Sequence, residues 1–153
     1  MTRIEKTMFA SQTINAPIED VFDRISDHEN FLSTLALSST SVTNPGINEK
    51  NGLGAIRHVR APGLSLEEEI TAFDRPNSFQ YLIINPSSLA KHEYAKVSLH
   101  TIANGTRIDW ESRLSTKGTI VGRVTGTLIQ NVFIKIFGKL LKNLAAEYDK
   151  KSP

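Results

Sequence analysis

The chain has no cysteine among its 153 residues and only one tryptophan. The absence of cysteine excludes disulfides, iron–sulfur clusters, thiolate zinc sites and cysteine nucleophiles. A dominant charge sign is also lacking, since 18 Lys and Arg residues stand against 16 Asp and Glu residues, for a net charge of +2. This balance argues against affinity that comes from neutralising phosphates. We therefore expect no nucleic-acid partner.

Long apolar runs and catalytic signatures are missing as well. No segment approaches the roughly 20 apolar residues of a bilayer span. The first residues carry Arg3, Glu5 and Lys6, and no apolar segment follows them, which argues against a signal peptide. The four histidines have no metal-ligand spacing, and no hydrolase elbow or phosphate-binding loop occurs. The sequence predicts a cytoplasmic protein without stable membrane insertion, metal or cofactor.

What is present indicates one ordinary folded domain. Hydrophobic residues make up 39% of the chain and charged residues 22%, which is close to soluble globular composition. A chain of this length buries enough surface for one core. We predict a single domain over residues 1–153, either monomeric or homodimeric.

The first 35 residues predict a strand and two short helices. Residues 3–15 form a β-rich stretch, and Pro17 fits the first position of a helix. The apolar residues Ile18, Val21, Phe22 and Ile25 then follow helical spacing. Asp27 is expected to cap the second helix.

The middle of the chain predicts six strands separated by turns, with spans 36–43, 53–60, 64–73, 78–85, 92–102 and 106–116. Asn104-Gly105 indicates a type I′ hairpin. Asp74-Arg75-Pro76-Asn77 indicates a type I turn. Connections this short imply an antiparallel sheet.

Residues 119–149 predict one long amphipathic helix. Apolar residues recur in it every four positions, and we expect Val124, Leu128, Val132 and Ile136 to form its inner stripe. From Lys117 onwards there are seven basic and two acidic residues. A solvated helix face is the preferred interpretation, and contact with an anionic membrane or nucleic acid is the alternative.

Four short segments, in order along the chain, resemble the START-like SRPBCC superfamily and within it the polyketide cyclase/dehydrase-like proteins. The segments are 13–22 (TINAPIEDVF), 54–57 (GAIR), 68–74 (EEITAFD) and 105–110 (GTRIDW). The resemblance implies an α+β helix-grip fold, in which a curved seven-stranded antiparallel sheet wraps a long C-terminal helix. It also implies a cavity for small hydrophobic molecules. It does not imply a reaction, because one fold carries many functions.

Strand alternation selects the polar residues that face this cavity. Glu68 shares a face with Leu66 and Ile70. Burial there penalises its charged form, which suits a general acid/base or a ligand partner. A solvated strand edge is the alternative. The resemblance agrees with an inward Glu68.

Other polar and aromatic residues are weaker candidates. Either Arg57 or His58 faces inward, and the resemblance favours Arg57. Tyr94 is expected at the pocket mouth as a hydrogen-bond donor, with an ordinary half-buried tyrosine as the alternative. Trp110 is predicted to line the cavity or the core.

Three functions follow from these residues. The preferred one is binding of a small hydrophobic molecule of lipid, polyketide or aromatic type. The second is a polyketide cyclase, aromatase or dehydratase in which Glu68 or Tyr94 moves a proton. The third, a membrane-contacting or protein-interaction module, requires a long helix that exposes apolar surface, which the position of the helix inside the curved sheet is expected to prevent. The predicted ligand-binding residues are Arg57, Val59, Leu66, Glu68, Ile70, Leu82, Ile84, Tyr94, Trp110, Val124, Leu128, Val132 and Ile136, with the loops at Pro62-Gly63 and 86–89 as gates.

Overall fold

A computed structural model describes residues 2–85 and 87–151. Seven strands form one antiparallel sheet in the order β1-β7-β6-β5-β4-β3-β2. The elements are β1 (Arg3–Ile14), α1 (Ile18–Ser26), α2 (His28–Leu32), β2 (Ser39–Asn44), β3 (Ile56–Ala61), β4 (Leu64–Asp74), β5 (Ser78–Ile83), β6 (Lys91–Ile102), β7 (Gly105–Lys117) and α3 (Ile120–Lys151). The predicted helix-grip architecture is confirmed, and every predicted element is present.

The sheet order follows from the hairpins and from one long-range pairing. Each strand from β2 to β6 pairs with the strand that follows it along the chain. β1 instead pairs with β7, from Arg3 opposite Lys117 to Ile14 opposite Thr106. The long helix α3 packs against β1 and β7. Its C-terminal half places Phe137, Leu140, Leu141 and Leu144 in the core.

Two turn predictions are wrong in type, although both turns occur. Ile102 pairs with Gly105, so the hairpin loop is 103–104 and Gly105 already belongs to β7. A type I′ turn requires a positive φ at both central residues. Among the described residues other than glycine, only Leu37 has a positive φ, so residues 103–104 do not form a type I′ turn. Gly105 has φ 149°, and an added Cβ there would lie 2.1 Å from the Ile14 carbonyl oxygen, so the glycine serves close strand approach.

The second turn spans 74–77, where the Asn77 amide donates to the Asp74 carbonyl oxygen at 2.7 Å. Pro76 therefore occupies the third position of the turn, which a type I turn disfavours.

A β-bulge in β4 changes which side chains reach the core. The pairing with β5 shifts between Ile70 and Ala72, so one extra residue reverses the alternation beyond it. Phe73 consequently packs on Phe22, with ring centroids 5.3 Å apart. Strict alternation from Glu68 and Ile70 would place Ala72 on the inner face and Phe73 on the outer face, and the bulge makes that alternation fail here.

The predicted inner stripe of α3 is also wrong over its first half. Val124, Leu128 and Val132 are each more than half exposed, whereas Leu140 and Leu144 are buried. Four residues advance an α-helix by about 400°, so a row taken every fourth residue drifts about 40° per step. The row therefore begins on the solvent side and reaches the sheet side only near Ile136.

The apolar content of α3 is as high as that of a helix able to span a membrane. By length and composition, α3 meets the criterion for a membrane span, with a mean hydropathy of 1.2 over 18 residues, of which 11% are buried. The expectation that no segment approaches a span is therefore wrong as a statement of composition. The contacts of α3 with β1 and β7 join it to the domain.

Two glycines of α3 are expected to respond in opposite ways to alanine. At Gly138 an added Cβ meets nothing within 4 Å, so Gly138→Ala should raise the free energy of unfolding by about 0.5–1 kcal/mol through helix propensity. At Gly122 the added Cβ would lie 2.0 Å from the Lys117 carbonyl oxygen, so Gly122→Ala should lower stability. Urea unfolding of both variants measures the difference, and equal shifts would contradict the packing of α3.

Candidate functional site

A cavity of about 710 Å³ lies between the sheet and α3. The structure places eight of the predicted ligand-binding residues in its wall: Arg57, Val59, Leu66, Glu68, Leu82, Ile84, Trp110 and Ile136. Further apolar wall comes from Met8, Leu32, Leu35, Leu114, Ile129, Phe133, Phe137 and Leu140. The wall is therefore mostly aliphatic and aromatic, with a few polar groups.

The strand register defines the inner end and the mouth of the cavity. Arg57 pairs with Glu68, and both line the cavity. The next inward residues, Ala55 and Ile70, are fully buried and do not line it. At the opposite end, Leu89 lines the cavity while 60% exposed. The mouth is therefore near the β5–β6 loop, where the predicted gate 86–89 lies, although Pro86 is outside the described residues.

The turn at Pro62-Gly63 lies at the same end. Ala61 and Leu64, which pair across this turn, both line the cavity. The predicted gating by either loop stays a prediction.

A buried ion pair occupies the inner end. The Arg57 Nε donates to Glu68 Oε2 at 2.6 Å, with side chains only 3% and 7% exposed. The Arg57 guanidinium carbon also lies 4.7 Å from the centre of the Tyr81 ring, a cation–π distance. No partner for the Glu68 carboxylate is predicted from the sequence. Its charge is instead compensated by Arg57, and the open choice between Arg57 and His58 is answered, since His58 is hydrogen-bonded to Ser65 on the outer face.

His28 extends this pair into a three-residue cluster. Arg57 Nη1 lies 2.6 Å from His28 Nδ1, and because a guanidinium only donates, Nδ1 must accept. The proton is then on Nε2, which donates to the Asn51 carbonyl oxygen at 3.1 Å. Burial, and secondly the Arg57 charge, hold the pKa of His28 well below 6.5. His28 is therefore a neutral acceptor that fixes Arg57.

Tyr81 and Trp110 form the second polar contact of the inner end. Trp110 Nε1 donates to the Tyr81 hydroxyl at 2.9 Å. Burial, and secondly the Glu68 charge, raise the pKa of Tyr81, so the phenol keeps its proton. Trp110 also stacks on Phe137, with ring centroids 4.1 Å apart. These contacts join β5, β7 and α3 at the cavity wall.

His92 lines the cavity because of a second bulge. The pairing of β6 with β7 shifts between His92 and Tyr94, which turns His92 inward. Its Nδ1 accepts the Ile83 amide at 2.9 Å, and its Nε2 lies 2.9 Å from Ser112 Oγ. Burial lowers the pKa of His92 to about 4, so the ring is neutral at pH 7.

Tyr94 is misplaced in the prediction, because it lies beyond this bulge, where the alternation of β6 is regular. The inward residues beyond the bulge are Ala95, Val97 and Leu99, all buried, so Tyr94 has the opposite parity. The Arg113 guanidinium carbon lies 5.2 Å from the centre of the Tyr94 ring, and Tyr94 does not line the cavity. Ile70 is core, and Val124, Leu128 and Val132 are exposed, so these four residues lie outside the cavity wall as well.

Sequence reasoning missed Tyr81, His28 and His92. The alternation of Phe79, Tyr81 and Ile83 with polar Gln80 is a visible signal for an inward Tyr81. His92 has no such signal, because a bulge is set by tertiary pairing. Among the described residues, no three His, Asp or Glu side chains are grouped to hold a metal ion.

Comparisons with known proteins agree with this architecture. The profile of the family described as "Polyketide cyclase / dehydrase and lipid transport" matches residues 2–149. No curated protein matches the chain. The protein TTHA0849 from Thermus thermophilus superposes with a TM-score of 0.72 and 20% identity, over 97% of this chain and 100% of that one.

Two further solved structures share the fold. Ara h 8.0201 has a TM-score of 0.60 and 19% identity, over 90% of this chain and 99% of that one. The Aha1 dimer from Colwellia psychrerythraea has a TM-score of 0.63 and 12% identity, over 94% and 96%. Because all three identities are low, these neighbours establish the fold alone. The family match over nearly the whole chain shows that the protein belongs to the polyketide cyclase/dehydrase and lipid transport family.

Proposed function

We propose that the protein binds one mainly apolar molecule, of lipid, polyketide or aromatic type, with its most polar end against the inner end of the cavity. The observation that carries this proposal is the cavity wall: about 710 Å³ of space lined chiefly by aliphatic and aromatic side chains. Pockets of this size and composition are typical of small-molecule sites. Membership of a family whose description includes lipid transport supports the same class of ligand.

The polar end of the ligand is expected to carry a hydrogen-bond acceptor. The Tyr81 hydroxyl accepts from Trp110, and no acceptor for its own proton is found among the described residues. A carbonyl or ether oxygen of the ligand would fill this role. The ion pair of Arg57 and Glu68 lies beside the same ring, so the inner end of the cavity combines charged groups with a hydrogen-bond donor.

The enzyme alternative, a polyketide cyclase or dehydratase, is supported by the family description more than by the geometry. Glu68 is held by Arg57 at 2.6 Å, and both ring nitrogens of His92 are hydrogen-bonded. Tyr94, the other predicted acid/base, is outside the cavity wall. Binding is therefore the stronger proposal. The cytoplasmic location stays a prediction.

A cavity-filling variant tests the proposal. Leu66→Trp places an indole in the cavity, and Glu67→Trp adds the same group on the exposed face of the same strand. With dansyl-undecanoic acid as the probe, we expect Leu66→Trp to weaken binding at least about tenfold, a change of about 1.4 kcal/mol, and Glu67→Trp to leave it unchanged. Native mass spectrometry supplies the stoichiometry, expected to be one. Absence of binding by the unsubstituted protein, or equal binding by all three proteins, would contradict a ligand cavity.

Tyr81→Phe tests the orientation of the ligand. Loss of one hydrogen bond should weaken binding of a probe with a carbonyl head group by up to about tenfold. Binding of a hydrocarbon probe of the same length should not change. Equal losses for both probes would show that Tyr81 acts through packing and not through its hydroxyl.

A further inference from the structure

The first half of α3 exposes an apolar strip. Five residues, called the α3 strip below, are each more than half exposed: Ile120, Val121, Val124, Leu128 and Val132. They share the side of the helix that faces away from the sheet and extend over about 18 Å. A solvated helix normally carries polar residues there. The cavity and the core do not account for these five side chains.

Rotation of the helix cannot bury the strip. The opposite side of α3 approaches β7 so closely that a Cβ added at Gly126 would lie 3.1 Å from the Thr116 side chain. The Gln130 side-chain amide donates to the Thr7 carbonyl oxygen of β1 at 2.7 Å. These contacts fix the orientation of the helix, so the strip is a constant feature of the folded domain.

The charged residues of the segment that carries the strip all have one sign. From residue 117 to residue 142 the chain has five basic residues, Lys117, Arg123, Lys135, Lys139 and Lys142, and no acidic residue, and all five are exposed. An apolar strip among cations has the chemistry of an interfacial helix on an anionic bilayer. A second copy of the chain fits less well, because a symmetric contact through α3 would bring these cations against each other.

The strip is adjacent to the cavity. Leu128 and Val132 are each followed in the sequence by a residue that lines the cavity, Ile129 and Phe133 respectively. A surface that covers the strip therefore lies next to the α3 wall of the cavity. A protein that exchanges an apolar ligand with a bilayer would need this arrangement.

We propose that the α3 strip and its flanking cations dock the domain on the surface of an anionic lipid bilayer. The contact is peripheral, because one face of the C-terminal half of the same helix, with Phe137, Leu140 and Leu144, packs in the core. The strip lies outside the cavity wall, so docking and ligand binding can be lost separately. The proposal goes beyond ligand binding and stands without it.

Vesicle flotation tests the docking. The unsubstituted protein is expected to bind vesicles of 70% phosphatidylcholine and 30% phosphatidylglycerol at least about fivefold more than pure phosphatidylcholine vesicles. Binding should fall steeply when salt is raised to about 0.5 M, because salt screens surface charge. No binding to either vesicle, or equal binding to both, would overturn the proposal.

Surface variants separate the two components of the contact. Val124→Ser/Leu128→Gln removes apolar area, and Lys135→Gln/Lys139→Gln removes charge; each is expected to reduce flotation at least about fivefold. Phe9→Gln is the matched control, because Phe9 is a half-exposed apolar residue of β1 outside the strip, and it should float normally. All variants are checked for unchanged thermal unfolding and for binding of dansyl-undecanoic acid, so loss of docking is distinguished from loss of the ligand site.

Two results would overturn the choice of partner. Unchanged flotation of both double variants would show that the strip is not the contact. A dimer in light scattering that Val124→Ser/Leu128→Gln converts to monomer, without vesicle binding by either form, would show that a second copy covers the strip.

Discussion

Replacing Arg57 by methionine is expected to lower the free energy of unfolding by about 3–5 kcal/mol, the usual result of removing one partner of a buried ion pair. The variant leaves Glu68 with its side chain 7% exposed and its cation gone. It also removes the guanidinium whose Nη1 donates a hydrogen bond to His28 Nδ1 at 2.6 Å. Urea unfolding followed by circular dichroism measures the loss.

A double variant shows whether the loss is electrostatic. Arg57→Met/Glu68→Met removes both charges, so it should be more stable than Arg57→Met alone, because apolar replacement of a whole buried pair is often neutral. Arg113→Met is the control, since its pair with Glu111 at 3.0 Å is partly exposed and such pairs contribute about 0–1 kcal/mol. A double variant no more stable than Arg57→Met would show that the guanidinium contributes by packing and not by charge.

Acidification from pH 7 to pH 4 is expected to destabilise the protein by about 3 kcal/mol through His92 alone. Its pKa is about 4 in the folded state and about 6.5 in the unfolded state. Below pH 6.5 the unfolded chain therefore binds a proton that the folded chain does not. The contribution of neutral His92 to the free energy of unfolding is fully present above pH 6.5 and is lost as the pH falls towards 4. The lowered pKa of His28 adds to the loss in the same direction.

Two histidine variants isolate this contribution. His92→Gln removes the titrating ring, so its free energy of unfolding should fall less between pH 7 and pH 4 than that of the unsubstituted protein. His100→Gln is the matched control for replacing a histidine by glutamine, because His100 is about half exposed beside Asp109 and does not line the cavity. Urea titrations at half-unit pH steps provide the comparison. Identical pH dependence in all three proteins would show that His92 is protonated equally in both states.

The elements of the fold were predictable because their signals are local. Helical spacing, proline and glycine positions, and hairpin-length connections define most of the order from β1 to α3. The ion pair was within reach as well: a two-residue turn at Pro62-Gly63 places Arg57 opposite Glu68 by counting back along both strands. The prediction placed Glu68 on the inner face but left open whether Arg57 or His58 faces inward, so the pair was not identified.

The errors share a different cause, which is that alternation is reliable only while the pairing is regular. One extra residue in β4 turned Phe73 inward, and one in β6 turned His92 inward. Tyr94 is different, because it follows the regular alternation with Ala95 and Val97, and that alternation was not applied to it. Bulges depend on strand partners that a single segment does not reveal. On α3, a row of every fourth residue mixed the solvent side with the core side, since only tertiary contact shows which side faces the sheet.

The pairing of β1 with β7 also has a consequence for the order of folding. During synthesis the N-terminal strand is complete long before its partner, because Arg3 pairs with Lys117 and Ile14 with Thr106. Until β7 has been made, β1 has no neighbouring strand for its amide and carbonyl groups, and such a strand is prone to pair with other chains. The first half of β1 contains the charged residues Arg3, Glu5 and Lys6. Charged side chains on an unpaired strand discourage aggregation, here during the time before β7 is available.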